Sequence, residues 1–390
     1  MKKNIIFVST ALWIGGIESA LVNLLNHIDY NKYNVTCLIL YNYTDMAHRI
    51  PEECKLIVAD RDKTVSFKEP YKYSRLFHLL EKPQNASEFR LLIWKILCFL
   101  LKAPEAKLYA AYIKKQMKNE HFDTAAIYSD VVAETAVRAI SADKFLMFYH
   151  HGSMRRVYHD KYGYKKSEKI ITVSPSQANL LKDFIPEYKN KIIAINNIID
   201  VESILERSAE PISVKFPENT FNMVSCGRLS PAKGMDIAVE SAKVLIEKGF
   251  TDFNCYFVGG GPEEKNLKEQ IEALGLSQHV HLLGMQFNPY PYIANAHLSV
   301  QPSRFEGHSV AIMESKILGL PIVATKAAAK EQITDGVNGA LCDTDPNALA
   351  EAILRVAMDK ELLNKFAEAS KAENFNTKNA ENLNELYKNF

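Results

Sequence analysis

The sequence has few cysteines and no long apolar run, and both absences narrow what the protein can be. Its six cysteines are scattered without a C-x-x-C pair, which argues against a zinc site and against a disulfide framework. No segment contains the roughly 18 uninterrupted apolar residues that a membrane-spanning helix requires. The chain also lacks a repeat of solenoid period and any low-complexity tract. These absences favour a globular, cytoplasmic protein.

Length and charge indicate two domains with different partners. The 390 residues are 47% hydrophobic and 24% charged, which fits a folded chain large enough for two domains. The net charge of +1 conceals an asymmetry, because residues 1–199 hold 29 Lys and Arg against 20 Asp and Glu, whereas residues 200–390 hold 18 against 26. A basic first half favours an anionic partner, such as a phosphorylated ligand or a membrane surface, and we expect no nucleic acid partner.

The N-terminus has the basic start and the apolar run, over residues 4–14, of a signal peptide. Ser9 and Thr10 interrupt that run, however, and Gly15 and Gly16 end it before an amphipathic series begins. This order predicts a strand, a glycine-rich turn and a helix instead of a cleaved leader.

Strands alternate with helices throughout the chain, and most of the strand candidates are apolar runs without a polar alternate face. Strands buried on both faces have this pattern, so we predict parallel sheets covered by helices on both sides. The candidates are residues 4–9, 35–40, 55–59, 124–128, 145–149, 170–173, 192–195, 221–226, 255–258, 280–283, 298–301, 322–324 and 339–342. The fold class is therefore α/β, with two doubly wound, Rossmann-like domains facing each other across a cleft. The predicted domains are residues 1–199 and 200–372, followed by a helix within 373–390.

The candidate binding residues of the second half follow predicted strands, at the end of the sheet where such folds bind ligands. Strand 221–226 leads into a loop with Arg228 and Lys233 before a helix, a combination suited to a diphosphate. The other interpretation is that both residues are solvated surface charges. After the next strand, the glycines at 259–261 let a ligand, or another backbone, approach closely. A tight turn after the strand explains these glycines equally well.

A further predicted strand precedes two glutamates that are eight residues apart. Glu306 lies in a loop and Glu314 in the helix that follows, so the two can hold different parts of one extended ligand. Backbone amides at the start of this helix can donate to acceptor oxygens or to a phosphate. These amides belong to Gly307, His308 and Ser309.

Taken in order, these motifs resemble those of the retaining GT-B glycosyltransferases of family 4 (glycosyl transferases group 1), of the type that assembles bacterial polysaccharides. The resemblance covers nearly the whole chain and is densest over residues 222–339. It is carried by Gly15-Gly16-Ile17-Glu18, Val173-Ser174-Pro175-Ser176, Gly227-Arg228-Leu229 with Lys233-Gly234, Val258-Gly259-Gly260-Gly261-Pro262, Glu306 with Glu314, Pro321-Ile322-Val323-Ala324-Thr325 and Asp335-Gly336-Val337-Asn338-Gly339. Each motif is weak alone, and their order makes the assignment specific.

The resemblance implies a site for a nucleotide diphosphate sugar and a final helix that packs back on the first domain. Arg228 and Lys233 would hold the diphosphate, and Glu314 the ribose hydroxyls. Glu306, with the amides after it, would lie against the transferred sugar. The other donor-binding residues would be Gly15, Gly16, Gly260, Gly307, His308 and Ser309. We expect a UDP-sugar before GDP-mannose as donor, with no metal and no other cofactor.

In this family a histidine at the end of a first-domain strand commonly faces the sugar, and two candidates follow strand 145–149. We favour His151 as the catalytic one, because Gly152 beside it indicates the turn, and assign His150 to the acceptor side or to packing. The other implied catalytic residues are Glu306, Arg228 and Lys233. Retention would need either a double displacement, for which Glu306 is the only candidate nucleophile, or departure and attack on one face of the sugar.

The first domain is predicted to bind the acceptor. Residues 89–118 carry seven basic residues and one acidic residue around Trp94 and Tyr112, which is typical of an interfacial helix pair or of a core helix with lysines on its solvated face. Together with Arg155 and Arg156, whose other interpretation is ordinary helix surface, this favours an anionic, membrane-borne acceptor. A glycan on a polyprenyl diphosphate would fit, in the synthesis of capsule, exopolysaccharide or lipopolysaccharide, with the protein peripheral at the inner face of the cell membrane.

Three alternatives are open. Asp60-Arg61-Asp62 follows a predicted strand, as in the metal-dependent glycosyltransferases of the other major fold, and Asp343-Thr344-Asp345 is a second D-x-D. A non-catalytic, glycosyltransferase-like partner subunit would typically lose the phosphate-binding residues or the glutamates, all of which are present here. A nucleotide-sugar hydrolase or epimerase would keep the fold, and the basic first half argues mildly against it.

Overall fold

Two parallel β-sheets organise the chain. The structure is a computed structural model that describes residues 2–59, 107, 109–118, 120–129, 132–150 and 161–390. The first sheet contains β1 (Lys3–Ser9), β2 (Tyr33–Ile39), β3 (Lys55–Val58), β4 (His121–Ile127), β5 (Ser141–Tyr149), β6 (Lys169–Thr172) and β7 (Ile192–Ala194). Its strand order is β3-β2-β1-β4-β5-β6-β7.

The second sheet repeats this plan. It contains β8 (Phe221–Cys226), β9 (Phe253–Val258), β10 (Val280–Leu282), β11 (Leu298–Gln301), β12 (Ile322–Thr325) and β13 (Ala340–Cys342), in the order β10-β9-β8-β11-β12-β13. In both sheets the order reverses beside the first strand, and ligands of doubly wound folds bind at such a switch point.

Helices connect the strands and cover the sheets. Besides a helical stretch over residues 109–116, those of the described residues are α1 (Gly16–His27), α2 (Ala133–Ala139), α3 (Lys161–Lys166), α4 (Pro175–Phe184), α5 (Val201–Ser208), α6 (Met235–Glu247), α7 (Glu264–Ala273), α8 (Tyr290–Ala294), α9 (Val310–Ile317), α10 (Lys326–Ala329), α11 (Pro346–Ala357), α12 (Lys360–Lys371) and α13 (Phe375–Tyr387). The start of α4 shows how the sequence sets such boundaries, because the Ser174 side chain accepts from the Gln177 N–H and Pro175 opens the helix.

The predicted strands and their parallel pairing are confirmed. Each of the thirteen strands predicted from the sequence is present, and the ladders of both sheets are parallel. The largest boundary differences are in β4 and β5, which start at His121 and Ser141 instead of Thr124 and Phe145. His121 pairs directly with Ser141 in the ladder, so backbone pairing extends these strands beyond their apolar runs.

Both faces of the first sheet are buried, because successive side chains of a strand point to opposite faces. In β1, Ile6 and Val8 join one apolar cluster, whereas Ile5 and Phe7 join the cluster on the other face. All four side chains are inaccessible to solvent. The second sheet is also packed between two clusters. The doubly wound fold class is therefore confirmed.

The last helix returns to the first domain, as the resemblance implied. Leu386 and Phe390 join the apolar cluster of α1 and β1, and Lys3 Nζ donates to the Phe390 carbonyl oxygen at 2.6 Å. The Asn379 side chain accepts from the Ile199 N–H at 3.1 Å and donates to the Ile199 carbonyl oxygen at 2.7 Å. The helix thus holds the chain segment that connects the two sheets.

The basic segment 89–118 is described only at residue 107 and at residues 109–118. Residues 109–116 are helical, with Tyr109 and Ile113 buried in the first-domain core and Lys114 and Lys115 exposed. This part of the segment matches the core-helix interpretation, and the rest lies outside the described residues. Among the helices that are described, none combines the length and the apolar character needed to cross a membrane.

Candidate functional site

Loops from the carboxyl ends of the two sheets contact each other. Trp13 lies between β1 and α1, and Arg228 lies between β8 and α6. The Arg228 guanidinium is 5.5 Å from the centre of the Trp13 ring, within cation–π range. On the loop after β11, a Cβ on Gly307 would lie 2.9 Å from Gln177 Nε2 and 3.2 Å from the His150 carbonyl oxygen. The two domains are therefore in contact around the predicted donor site.

Lys233 and Glu306, both predicted to be site residues, form an ion pair. Lys233 Nζ donates to Glu306 Oε1, and Ser303 Oγ donates to the same oxygen at 3.0 Å. The Lys233 and Glu306 side chains are mostly buried, so salt screens the pair less than it screens a surface pair. Because an ammonium group has three donors, Lys233 can bind a phosphate oxygen without releasing Glu306.

A second ion pair, which we did not predict, fixes the loop that carries Glu306. The Arg304 guanidinium donates to both Asp236 carboxylate oxygens, at 2.7 and 2.6 Å, and to the Pro231 carbonyl oxygen at 3.0 Å. The Arg304 backbone N–H donates to the Ala232 carbonyl oxygen at 2.7 Å. The hydrogen bond from Arg304 lowers the pKa of Asp236. The loops after β8 and β11 are thus joined into one unit.

The glycines after β9 serve backbone packing at two of the three positions. A Cβ at Gly259 or Gly261 would lie 2.0 or 2.2 Å from carbonyl oxygens of the neighbouring Arg228 loop. Here the expected alternative, the close approach of another backbone, is what the structure shows. Gly260 differs, because a Cβ there would lie 3.6 Å from atoms of Met285, which is an ordinary contact.

Glu314 is a buried carboxyl group in α9. Burial raises its pKa to about 7, against the hydrogen bond from the Tyr290 hydroxyl and the positive charges of Arg49, Arg207 and Lys233. Arg49 lies in the first domain, so both domains contribute to the electrostatics at this position. Tyr290 is a site residue that the sequence analysis missed, since nothing in its sequence context indicates a partner 24 residues away.

His308 and Ser309 precede α9, as predicted. Burial lowers the pKa of His308 to about 4, so its imidazole is neutral at pH 7. Its Nδ1 and the Ser309 hydroxyl are buried and have no hydrogen-bond partner among the described residues. The Ser309 N–H donates to Gln332 Oε1 at 2.8 Å, and Gln332 Nε2 donates to the Ser309 carbonyl oxygen at 2.9 Å. The Ser309 amide, which we predicted to face a ligand, is therefore engaged by Gln332.

Of the two histidine candidates, only His150 is described. It follows β5 and packs against aromatic rings, with its ring centre 4.5 Å from that of Tyr128 and 5.9 Å from that of Phe148. Its carbonyl oxygen faces Gly307 across the cleft. His151, Arg155 and Arg156 lie outside the described residues, so our preference for His151 stays a prediction.

Gly15 and Gly16 open α1, next to a buried carboxyl group. A Cβ on Gly15 would lie 2.5 Å from Glu18 Oε2, whereas the same atom on Gly16 would meet open space. Burial raises the pKa of Glu18 to about 7, against a hydrogen bond from the Trp13 indole and the charge of Arg228. Gly16 fits the expected role of leaving space at the cleft, and Gly15 leaves space for Glu18.

The two D-x-D motifs have different outcomes. Asp60 and Asp62 lie outside the described residues. Asp343 pairs with Lys326, and the Asp345 side chain accepts from the first N–H groups of α11, so both have structural roles. Within the described part of the chain, no group of three His, Cys, Asp or Glu side chains is placed to hold a metal ion.

The C-terminal domain, which carries most of these residues, is similar in sequence to a known protein family. The family model described as Glycosyl transferases group 1 matches residues 206–373. This match covers most of the C-terminal domain. Over 214 residues, 53% of this chain, the sequence is 28% identical to 56% of the N-acetylgalactosamine-N,N'-diacetylbacillosaminyl-diphospho-undecaprenol 4-alpha-N-acetylgalactosaminyltransferase of Campylobacter jejuni. The chain spans about half the length of the curated relatives it matches.

Solved structures extend the likeness from the C-terminal domain to the whole chain. HepE of Anabaena, in complex with UDP, is 17% identical with a TM-score of 0.66, and 100% of both chains is covered. TarM of Staphylococcus aureus, in complex with Fondaparinux, alpha-GlcNAc-glycerol and UDP, is 14% identical with a TM-score of 0.73, and 99% of both chains is covered. At these identities the likeness shows the fold alone, which is the two-domain GT-B fold that the sequence predicted.

Proposed function

We propose that the protein is a glycosyltransferase that moves a sugar from a UDP-sugar to a glycan or lipid-linked acceptor in cell-surface polysaccharide synthesis. The observation that carries this proposal is the convergence of Lys233, Glu306, Arg228 and Glu314 at one edge of the C-terminal glycosyltransferase domain, against the first-domain loops. HepE and TarM were both solved with UDP, which favours UDP over the nucleotide of GDP-mannose. The relative from Campylobacter jejuni is named for a diphospho-undecaprenol acceptor, and the basic first half of this chain suits such an anion.

The charged side chains of the site would stabilise the leaving group. Cleavage of the bond between the sugar and the diphosphate leaves negative charge on the nucleoside diphosphate and positive charge on the sugar ring. Arg228 and Lys233 would supply positive charge beside that position, and preorganised electrostatics of this kind is often the largest catalytic contribution. Lys233 is held by Glu306 before a donor arrives, so it needs little reorganisation. No step of this proposal requires a metal.

We further propose that the reaction retains the anomeric configuration through departure and attack on the same face of the sugar. Glu306 Oε1 already accepts from Lys233 and from Ser303. A carboxylate engaged by two donors is a poor nucleophile, which disfavours the double displacement. On the same-face route the leaving phosphate takes the proton of the acceptor hydroxyl, so no enzyme base is needed. Glu306 would then position Lys233 and the sugar hydroxyls.

Ligand-induced thermal shift tests the donor site. Binding to the folded state alone raises the unfolding midpoint by mass action. We expect a shift with UDP that exceeds those with GDP and ADP, persists in EDTA and is lost in Glu314→Gln. Glu269→Gln is the matched control, because Glu269 lies on the exposed face of α7 in the same domain. No shift with any nucleotide would favour the non-catalytic partner subunit, a larger shift with GDP would favour a GDP-sugar, and a shift abolished by EDTA would favour metal binding at Asp60 and Asp62.

Vesicle flotation tests the membrane part of the proposal. We expect the protein to float with vesicles of phosphatidylglycerol and phosphatidylcholine at physiological salt, and to float less with phosphatidylcholine alone. The exposed pair Lys114 and Lys115 can be reversed together to glutamate, with Lys243→Glu and Lys265→Glu on the second domain as the control for net charge. If the protein does not float with anionic vesicles, the proposed membrane contact is refuted. That result would not bear on the proposed donor site.

A further inference from the structure

The loop between β1 and α1 reaches across the cleft to one of the two cations of the proposed donor site. The face of the Trp13 ring lies against Arg228, with 5.5 Å between the ring centre and the guanidinium carbon. The Trp13 indole N–H donates a hydrogen bond to the Glu18 carboxylate, which also accepts from a backbone N–H in its own helix. Glu18 is only 6% exposed, so the indole is held by a side chain that is itself fixed.

We propose that Trp13 and Glu18 are positioning residues that hold the Arg228 guanidinium toward the donor diphosphate when the cleft is closed. The inference rests on the proposed function of Arg228 as a diphosphate ligand, and it adds a first-domain component to that function.

The geometry of the contact leaves Arg228 able to bind a phosphate. A guanidinium has five N–H donors, and a cation–π contact on one side of it leaves the donors that point away from the ring available. Guanidinium donors are the ones that make paired hydrogen bonds with phosphate oxygens. The ring therefore restricts the orientation of a long, exposed side chain without competing for its donors.

The two cations of the site are restrained from different domains. Lys233 pairs with Glu306, and both belong to the C-terminal domain. The cation–π contact of Arg228, and its attraction to Glu18, come from the N-terminal domain. An open cleft would leave Lys233 in place and release Arg228. Closure of the cleft would thus complete the diphosphate site.

The space around Gly15 supports this assignment of Glu18. A Cβ at position 15 would lie 2.5 Å from Glu18 Oε2 and 3.3 Å from Trp13 Nε1. Only a residue without a side chain lets the carboxylate and the indole N–H meet at this point. The first glycine of the Gly15-Gly16 pair is therefore explained by the Trp13–Glu18 contact.

A double-mutant cycle on UDP binding tests the proposal. The chain has two tryptophans, so Trp94→Phe serves as the parent in which Trp13 is the only one. Trp13→Leu should weaken UDP binding about fivefold, the upper end of the range for a cation–π contact at an exposed guanidinium. The same change in an Arg228→Gln background should cause less than about a twofold loss, since the contact is already gone. Trp13→Phe, which keeps an aromatic face, should bind UDP within about threefold of the parent.

Glu18 is tested by a pair of variants. Glu18→Gln keeps a carbonyl acceptor for the indole N–H and should bind UDP nearly as the parent does, whereas Glu18→Leu, which keeps the ring but removes its hydrogen-bond partner, should match the smaller loss in Trp13→Phe. Equal losses for Trp13→Leu in the parent and Arg228→Gln backgrounds would overturn the proposal. Unfolding midpoints without nucleotide identify any variant that loses binding through misfolding, and Trp13→Phe is then the informative substitution.

Trp13 fluorescence gives a readout that needs no nucleotide. In the Trp94→Phe parent, Arg228→Gln should increase the quenching of Trp13 by acrylamide, because the guanidinium covers one face of the ring. Unchanged quenching would show that the contact is not formed in solution and would overturn the proposal. If the parent binds no nucleotide at all, the proposed function fails and this inference fails with it. If the parent binds UDP and the cycle shows no coupling, only this inference fails.

Discussion

Removal of the Glu373 side chain should destabilise the C-terminal domain, because it leaves the buried Lys316 ammonium without its partner of opposite charge. Lys316 in α9 is 2% exposed, and its Nζ donates to Glu373 Oε2 and to the Gln332 carbonyl oxygen, both at 2.6 Å. Burial lowers the pKa of Lys316, and the pairing with Glu373 opposes that change. In Glu373→Ala the ammonium would stay buried with one carbonyl partner in place of an opposite charge.

The magnitude follows from the burial of the pair. Breaking a buried ion pair by removing one partner costs about 3–5 kcal/mol, and we expect the lower end because the Gln332 carbonyl remains. The C-terminal domain has the size at which about 3 kcal/mol lowers the unfolding midpoint by roughly 6–12 °C. Glu368→Ala is the control, because Glu368 is an exposed partner of Lys371 on α12, and its loss should cost less than about 1 kcal/mol.

Urea unfolding at neutral and alkaline pH tests both the size of the stability loss in Glu373→Ala and its proposed cause, the buried charge of Lys316. The folded-state pKa of Lys316 lies below that of an unfolded lysine, so stability rises with pH in the alkaline range. The deficit of Glu373→Ala should therefore be smaller at about pH 9.5 than at about pH 7. Replacing both residues, as Lys316→Met with Glu373→Ala, should recover most of the loss, because no buried charge remains. A double variant as unstable as Glu373→Ala would refute the reasoning.

Three further predictions concern the site. Lys233→Met should lower kcat by about 10²–10³-fold under saturating UDP-sugar, because one positive charge beside the leaving group is lost. An unchanged kcat would exclude Lys233 as a ligand of the diphosphate. Arg304→Ala and Asp236→Ala should each lower the free energy of unfolding in urea by about 1 kcal/mol. The two losses should not add in the double variant, because both substitutions remove the same bidentate contact. Additive losses would refute this coupling. Burial raises the pKa of Glu314 to about 7 in the folded protein. The contribution of this carboxyl group to stability is fully present below its pKa in the unfolded chain and is lost as pH rises through about 7. Between about pH 6 and 8.5, the free energy of unfolding of Glu314→Gln should therefore rise by roughly 1 kcal/mol relative to that of the native protein. A difference that does not change with pH would show that Glu314 is ionised throughout.

The fold could be read from the sequence because apolar runs and glycine turns repeat in a regular order. A strand such as Phe221–Cys226 is mostly apolar, is buried on both faces and is followed by a turn and an amphipathic helix, so pattern and propensity agree. The placement of Lys233 and Glu306 at neighbouring strand ends follows from the topology, since β8 and β11 are adjacent. Their direct ion pair did not follow, because it depends on two loop conformations.

The contacts that join different loops could not be read from the sequence. Arg304 lies two residues before Glu306, and Asp236 lies in the first turn of α6, but 68 residues separate this pair. Gln332 holds the Ser309 amide from a helix–turn segment 23 residues away. Charged and amide side chains of this kind are common on protein surfaces. Which residues they pair with is determined by how the loops pack against each other in the folded protein. Trp13 was overlooked for the same reason, since its partner Arg228 belongs to the other domain.

These contacts give the two halves of the site different rigidity before a donor arrives. Arg304 with Asp236, and Lys233 with Glu306, tie two loops of the C-terminal domain into one unit, so these contacts do not depend on the first domain. Arg228 is restrained through Trp13, and Glu314 lies in the field of Arg49 as well as that of Arg207, so this half depends on the first domain. A donor that reaches an open cleft would therefore meet Lys233 first, and full stabilisation of its diphosphate would require closure. Closure would also bring the first domain, where we expect the acceptor to bind, against the sugar, which links assembly of the charged site to the presence of both substrates.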